Sequence, residues 1–199
     1  MLNESDSKIE IKRTWTILFI GGASGSGKSI LAYELAKYFG INVLEIDDIA
    51  ESLKPLTNNE LLPYLHYWDS GINWKDIGID GNKNWLINVS NEIKPALKAV
   101  VDRHIEDNLP IIIEGDFLSP ELIHSFDNDK VKNLFVIESE KDQIIKNYLN
   151  REGGEPQNFR AEIGIEYGKW LKNECFKLGL NYLESRPWDS LLNRAIEII

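Results

Sequence analysis

The chain has 199 residues, 43% of them hydrophobic and 27% charged, with a formal net charge of −10; this is the profile of one well-buried globular core. Such an acidic balance argues against a nucleic-acid partner, because binding to phosphate backbones needs clustered Lys and Arg. A lone cysteine, Cys175, excludes an intrachain disulfide and suits a reducing, cytoplasmic compartment, and no apolar run long enough to cross a bilayer points to a membrane.

Residues 1–13 mix charged and polar groups without an apolar run, so they read as a polar leader ahead of a single domain over 14–199. The β-branched run from Thr16 to Ile20 predicts a first strand over about 14–21. The spacing of Ile30, Leu31, Leu35, Ala36 and Phe39 then predicts a helix over 28–39, with Gly40 placed for a left-handed cap. Asn42 to Ile46 reads as a second, buried strand that ends in Asp47 and Asp48. Over 51–84 prolines and glycines break the pattern while Tyr64, Tyr67, Trp68 and Trp74 gather around His66, which predicts a helical insertion. A long helix is expected from about Trp85 to Asp107, with Pro95 kinking it or marking its true start.

Ile111 to Ile113 reads as a third strand closing on Glu114-Gly115-Asp116, followed by a short helix from Pro120 to Ser125 and a fourth strand over 133–137. A helix from Asp142 to Arg151 leads into an irregular, glycine-rich segment over 152–159, flanked by Arg151 and Arg160. A helix over 161–178, a strand over 181–184 and a last helix from Pro187 or Trp188 complete the chain. This alternation predicts an α/β fold in three layers: a mostly parallel five-stranded sheet with right-handed crossovers, covered by helices on both faces. Ligands in such sheets bind beyond the carboxyl ends of the strands, where Glu45, Asp47, Asp48, Glu114, Asp116 and Arg186 fall.

Gly22-Ala23-Ser24-Gly25-Ser26-Gly27-Lys28-Ser29 fits the phosphate-binding loop: two glycines, then lysine and a hydroxyl residue, between a strand and a helix that opens with Ile30. Glycines at 22, 25 and 27 let successive N–H groups turn inward, and the helix start adds its positive end, so a polyphosphate meets a ring of donors. Lys28 would reach the β and γ phosphates, and the Ser29 hydroxyl would ligate Mg²⁺. Phosphoryl transfer needs further positive charge, for which Arg151 and Arg160 flank a lid over 151–160, with solvated surface arginines as the plainer reading. A hydroxyl acceptor needs a base, with Asp47 the first choice and Asp48 the second, although either acid would also serve as a helix N-cap. Glu114 would hold a Mg²⁺-bound water, and Asp116 would face the substrate or form a turn. Tyr64, His66, Trp68 and Trp74 would line the acceptor pocket or pack as the insertion's own core. Arg186-Pro187-Trp188 would stack on adenine or simply open a helix.

In this order of motifs the sequence resembles the small-molecule kinases of the P-loop class: the shikimate, gluconate, adenylate and 2-phosphoglycerate kinases. Gly21-Gly22-Ala23-Ser24-Gly25, Ile46-Asp47-Asp48-Ile49 and Ile113-Glu114-Gly115 resemble the 2-phosphoglycerate kinase-like group in particular. Leu65-His66-Tyr67-Trp68 and the run from Arg186 to Leu192 are similar to a set of uncharacterised bacterial P-loop proteins. The resemblance implies an ATP- and Mg²⁺-dependent phosphotransferase with a small-molecule hydroxyl acceptor, Asp47 at the acceptor hydroxyl and Glu114 near the metal. An Arg commonly follows the paired acids in 2-phosphoglycerate kinases, where this chain has Ala50 and Glu51. That departure points away from an anionic acceptor and toward a neutral or cationic one, such as a sugar, nucleoside or amino alcohol. The competing class is a P-loop NTPase acting as a regulatory switch or nucleotide-binding module; a guanine-specific Asn-Lys-x-Asp is missing, since Asn82-Lys83-Asn84-Trp85 lacks the acid. The sequence leaves assembly open between monomer and homodimer.

Overall fold

Runs of Ile, Val, Leu and Phe form five strands in the computed structural model, which describes residues 13–199: β1 (Ile17–Gly21), β2 (Asn42–Glu45), β3 (Ile111–Gly115), β4 (Val131–Ile137) and β5 (Tyr182–Glu184). Apart from Arg13, the expected leader lies outside the described residues. Seven α-helices join them: α1 (Lys28–Phe39), α2 (Ile46–Leu53), α3 (Gly78–Glu106), α4 (Pro120–His124), α5 (Lys141–Glu152), α6 (Asn158–Leu178) and α7 (Leu191–Ile198). The five strands lie in the order β2-β3-β1-β4-β5, and every pairing is parallel. Register sets Gly21 opposite Gly115 on one side and Phe135 on the other, and sets Glu45 opposite Glu114. The carboxyl ends of β1 and β3 therefore finish level, while β4 runs on to Ile137, and the loop after β1 opens over them.

Side chains alternate across the sheet as a two-residue period requires. Ile17, Phe19, Ile111, Ile113, Phe135 and Ile137 share one core with Val89, Ile93 and Leu97 of α3 and Tyr167 and Leu171 of α6. Leu18, Ile20, Ile112, Leu134 and Val136 share the other with Leu31 and Leu35 of α1 and Leu191 and Ala195 of α7. These are the three expected layers. Burial of each such apolar side chain contributes about 1.5–3 kcal/mol. Cys175 belongs to the first core, where burial pushes its thiol pKa up to about 12 and leaves it an apolar group. Gly40 ends α1 with a φ of 65°, its amide donating to the Ala36 carbonyl.

Three expectations need correction. β2 is an edge strand and only half-buried, because helices cover the middle of the sheet more fully than its margin. The long helix starts at Gly78 rather than near Trp85, passing through Gly81, whose missing side chain leaves room for Ile77: a Cβ there would lie 2.7 Å from that residue's Cβ. Pro95 lies inside α3 and does not mark its start. The irregular segment shrinks to 153–157, since Glu152 closes α5 and Asn158 opens α6. No described helix is long and apolar enough to cross a membrane.

Candidate active site

All three loop glycines carry positive φ, 155° at Gly22, 79° at Gly25 and 93° at Gly27. Gly27 has a second constraint, for a Cβ at this position would lie 2.5 Å from Cζ3 of Trp188. Lys28 begins α1 and is buried, with its Nζ ion-paired to Oδ1 of Asp116. Burial alone would lower the pKa of this ammonium, but the carboxylates of Asp116, Glu114 and Asp47 outweigh it and hold the pKa above its ordinary value. Lys28 is thus a fixed cation facing three acids. Asp47 and Asp48 lie in the first turn of α2, where the helix dipole favours them; the N-cap position itself belongs to Glu45, so neither acid caps the helix.

Partial desolvation raises the Asp47 pKa, with Asp116 adding to the rise and Lys28 opposing it. Glu114 is 3% exposed, and burial raises its pKa against the pull of Lys28 and a hydrogen bond from the Ser29 hydroxyl. Its Oε2 and the Ser26 Oγ are buried without a hydrogen-bond partner among the described residues. Such an orphaned oxygen fits a divalent cation or its water. Among the described residues no group of three His, Cys, Asp or Glu side chains could hold a metal by itself. Mg²⁺ needs no such group, since it binds through one or two protein groups and keeps its remaining positions for water and phosphate.

Two cavities, each of about 560 Å³, open on either side of the loop. The first runs along Gly25, Gly27, Lys28, Ser29 and Ile30, with Asn147, Arg151, Arg186 and Trp188 opposite. The second reaches from Ala23 and Ser24 past Asp47 and Asp116 to Trp68, Trp74, Trp85 and Arg160. Tyr148 of α5 lines both. Its hydroxyl donates to the Ser24 carbonyl at 3.0 Å, and next to it Asn147 Nδ2 donates to the Gly25 carbonyl at 2.8 Å. The guanidinium carbons of Arg160 and Arg151 lie 4.3 and 5.4 Å from the centre of the Tyr148 ring. Glu152 accepts from both arginines and from Gln157. The Gln157 hydrogen bond, then that from Arg151, then Arg160, hold its pKa down at about 2.

The structure therefore gathers most of the expected residues and sets others aside. Arg151 faces the first cavity and Arg160 the second, so the two arginines serve different spaces. Ala23 and Ser24 likewise face the second cavity. Asp47, Trp68, Trp74 and Asp116 line it, whereas Asp48, Glu114 and His66 do not. Asp48, like Asp47, is exposed on α2, and Glu114 lies buried beneath the loop. The His66 ring is spent on Thr57 Oγ1 at 3.0 Å and Asp69 Oδ2 at 2.8 Å, which makes it a strut of the 54–70 region. Pro187 turns the chain, its carbonyl accepting from Arg194, while Arg186 and Trp188 face the first cavity; Arg186 is tied to Glu138 at 3.1 Å. Sequence reasoning missed Tyr148, Asn147, Asn82 and Gln157.

No protein-family model matches the chain. It is 30% identical over 138 residues to the 2-phosphoglycerate kinase of Methanococcus vannielii, covering 62% of this chain and 44% of that protein. To the 2-phosphoglycerate kinase of Methanococcus maripaludis it is 28% identical, over 95% of this chain and 66% of that one. The chain thus spans about half the length of the curated relatives it matches. Its fold matches a gluconokinase from Sinorhizobium meliloti with a TM-score of 0.52 at 16% identity, over 92% of this chain and 90% of the other. The chain is thus similar in sequence to 2-phosphoglycerate kinases over part of their length, and its fold is similar to that of the gluconokinase.

Proposed function

We propose that the protein is an ATP- and Mg²⁺-dependent phosphotransferase that moves the γ-phosphate onto a hydroxyl of a small molecule. The observation that carries this reading is a pair of equal cavities that share Tyr148, with Lys28 of the first ion-paired to Asp116 of the second. A triphosphate would lie in the first, its phosphates on the amides of residues 22–30 and its base toward Trp188 and Arg186. The acceptor would fill the second. We take residues 51–84, which bring Trp68, Trp74 and Asn82 to that space, as the acceptor-binding insertion, and 151–160 as the lid.

Each residue type then has a task. Lys28 shifts from Asp116 to the β and γ oxygens, and Arg151 and Arg160 supply charge from two sides as the lid settles. Asp47 takes the proton of the acceptor hydroxyl, a role its raised pKa assists by making it a better base. Ser29 and, through water, Glu114 would hold Mg²⁺, which when bound neutralises charge on the phosphates. The aromatic walls exclude water that would otherwise compete with the acceptor.

A screen of hydroxyl-bearing metabolites with labelled ATP tests the reading. One acceptor should speed ADP release from a slow basal rate, and Lys28→Ala should abolish both the labelled product and triphosphate binding. Turnover unchanged by Lys28→Ala refutes it, and acceleration by a protein partner but by no metabolite favours the switch.

A further inference from the structure

The walls of the second cavity carry a lopsided set of hydrogen-bonding groups. Several of its charged and amide donors are engaged inside the protein, Arg160 through Nη1 and, at 3.5 Å, through Nη2 to Ser24 Oγ. Arg160 donates to both Glu152 oxygens and to Gln157 Oε1, each at 3.0 Å, and Gln157 Nε2 donates to Glu152 at 2.7 Å. Asn82 Nδ2 donates to the Trp74 and Gly78 carbonyls at 2.6 and 2.7 Å. The Tyr167 hydroxyl is spent on the Asp116 carbonyl at 2.9 Å, and the Trp85 indole on the Tyr64 carbonyl at 2.8 Å. Beside the Trp68 and Trp74 indoles, what remains is mainly acceptors: the Asp47 carboxylate, the second oxygen of Asp116, whose Oδ1 is paired to Lys28, and Asn82 Oδ1, for which there is no donor among the described residues.

An occupant rich in donors is therefore answered best. A carboxylate or phosphate would meet two like charges, with Lys28 already paired to Asp116 and Arg160 to Glu152. The remaining wall is largely aromatic, with Trp68, Trp74 and Trp85, rings whose faces attract a cation once water is displaced. Nucleotide uptake sharpens this, because phosphates that draw Lys28 away leave Asp116 without its partner.

We infer that the acceptor is a hydroxyl-bearing amine in its protonated form, its ammonium answering the surplus carboxylate and Asn82 oxygens within the tryptophan wall. The inference rests on the phosphotransferase reading and deepens it. In the reaction the acceptor oxygen forms a bond to the γ-phosphorus as the bond from that phosphorus to the β,γ-bridging oxygen breaks. The hydroxyl proton goes to Asp47, and the products are ADP and an O-phosphorylated amine.

Matched acceptors test it: ethanolamine against ethylene glycol and glycolate, and glucosamine against glucose and gluconate, with 2-phosphoglycerate alongside and Mg·ATP throughout. Within each set the amine should show a kcat/KM at least about tenfold above its neutral and acidic counterparts, the scale of one desolvated cation–π or charge-assisted contact. Asp116→Asn should bring that ratio toward unity. A neutral or acidic member used as well as its amine overturns the inference and leaves phosphotransfer standing. Binding is read separately through tryptophan fluorescence. Amines binding more tightly than their partners uphold the inference even where transfer fails, which would count against the phosphotransferase reading alone. Equal or absent binding overturns it.

Discussion

Gly27→Ala isolates what the loop's geometry demands. The residue has φ 93° and ψ 3°, a left-handed conformation that costs an alanine about 1–2 kcal/mol. Its new Cβ would also lie 2.5 Å from Cζ3 and 2.7 Å from Cη2 of Trp188, so the indole must retreat by about 1 Å to reach ordinary contact near 3.5–4.0 Å. Forcing an extra carbon into a packed site costs about 1–3 kcal/mol. The two terms together come to about 2–5 kcal/mol, a large share of the roughly 5–15 kcal/mol that holds a domain folded. Urea unfolding followed by circular dichroism should show the midpoint falling accordingly, with triphosphate affinity falling too because Trp188 walls the first cavity. In a Trp188→Ala background the same substitution should cost only its conformational part, giving a coupling of about 1–3 kcal/mol. An equal cost in both backgrounds would refute the argument that the ring is the obstacle.

The acids make two further predictions. Asp47→Asn should keep ATP·Mg affinity within a few fold while lowering transfer by about 10²-fold or more, as for a lost general base. Because the Asp47 pKa is raised, the wild-type rate should fall on acidification with a midpoint above the ordinary aspartate range, and the variant should lose that limb. An unchanged pH–rate profile removes Asp47 from the role. Glu114→Gln should stabilise the fold while raising the Mg²⁺ needed for turnover. The sign follows from linkage: a carboxyl whose pKa is raised on folding favours the folded state only while protonated, and that benefit is lost as pH rises through the folded pKa. At neutral pH the carboxylate is therefore a burden that Gln removes, and the gain should vanish as acid protonates the wild type. Urea midpoints across about pH 4 to 8 test it; a variant less stable than wild type at neutral pH refutes it.

The residues legible from sequence were those whose chemistry is local. Gly22 to Ser29 announce themselves because loop, strand and helix are contiguous, and the strands follow from β-branched runs. The β2 strand misled because Val43 and Leu44 look the same in a sheet margin as in its middle; only neighbours distant in sequence decide how much they are covered. His66 drew notice as a polar ring among aromatics, yet Thr57 and Asp69 consume both of its nitrogens. Tyr148 and Asn147 gave no signal, since their task is to hold loop carbonyls more than a hundred residues earlier in the chain. Gly78 and Gly81 read as breakers, whereas the helix runs through Gly81 to accommodate Ile77.

One aromatic ring serves as a party wall. Because Tyr148 borders both chambers and carries Arg151 and Arg160 on its π system, a guest that tilts it on one side reshapes the room next door. Thermodynamics makes such an influence mutual: whatever factor the first guest applies to the second's affinity, the second returns. Order of arrival and cooperativity between the two substrates would then be settled at a single phenol.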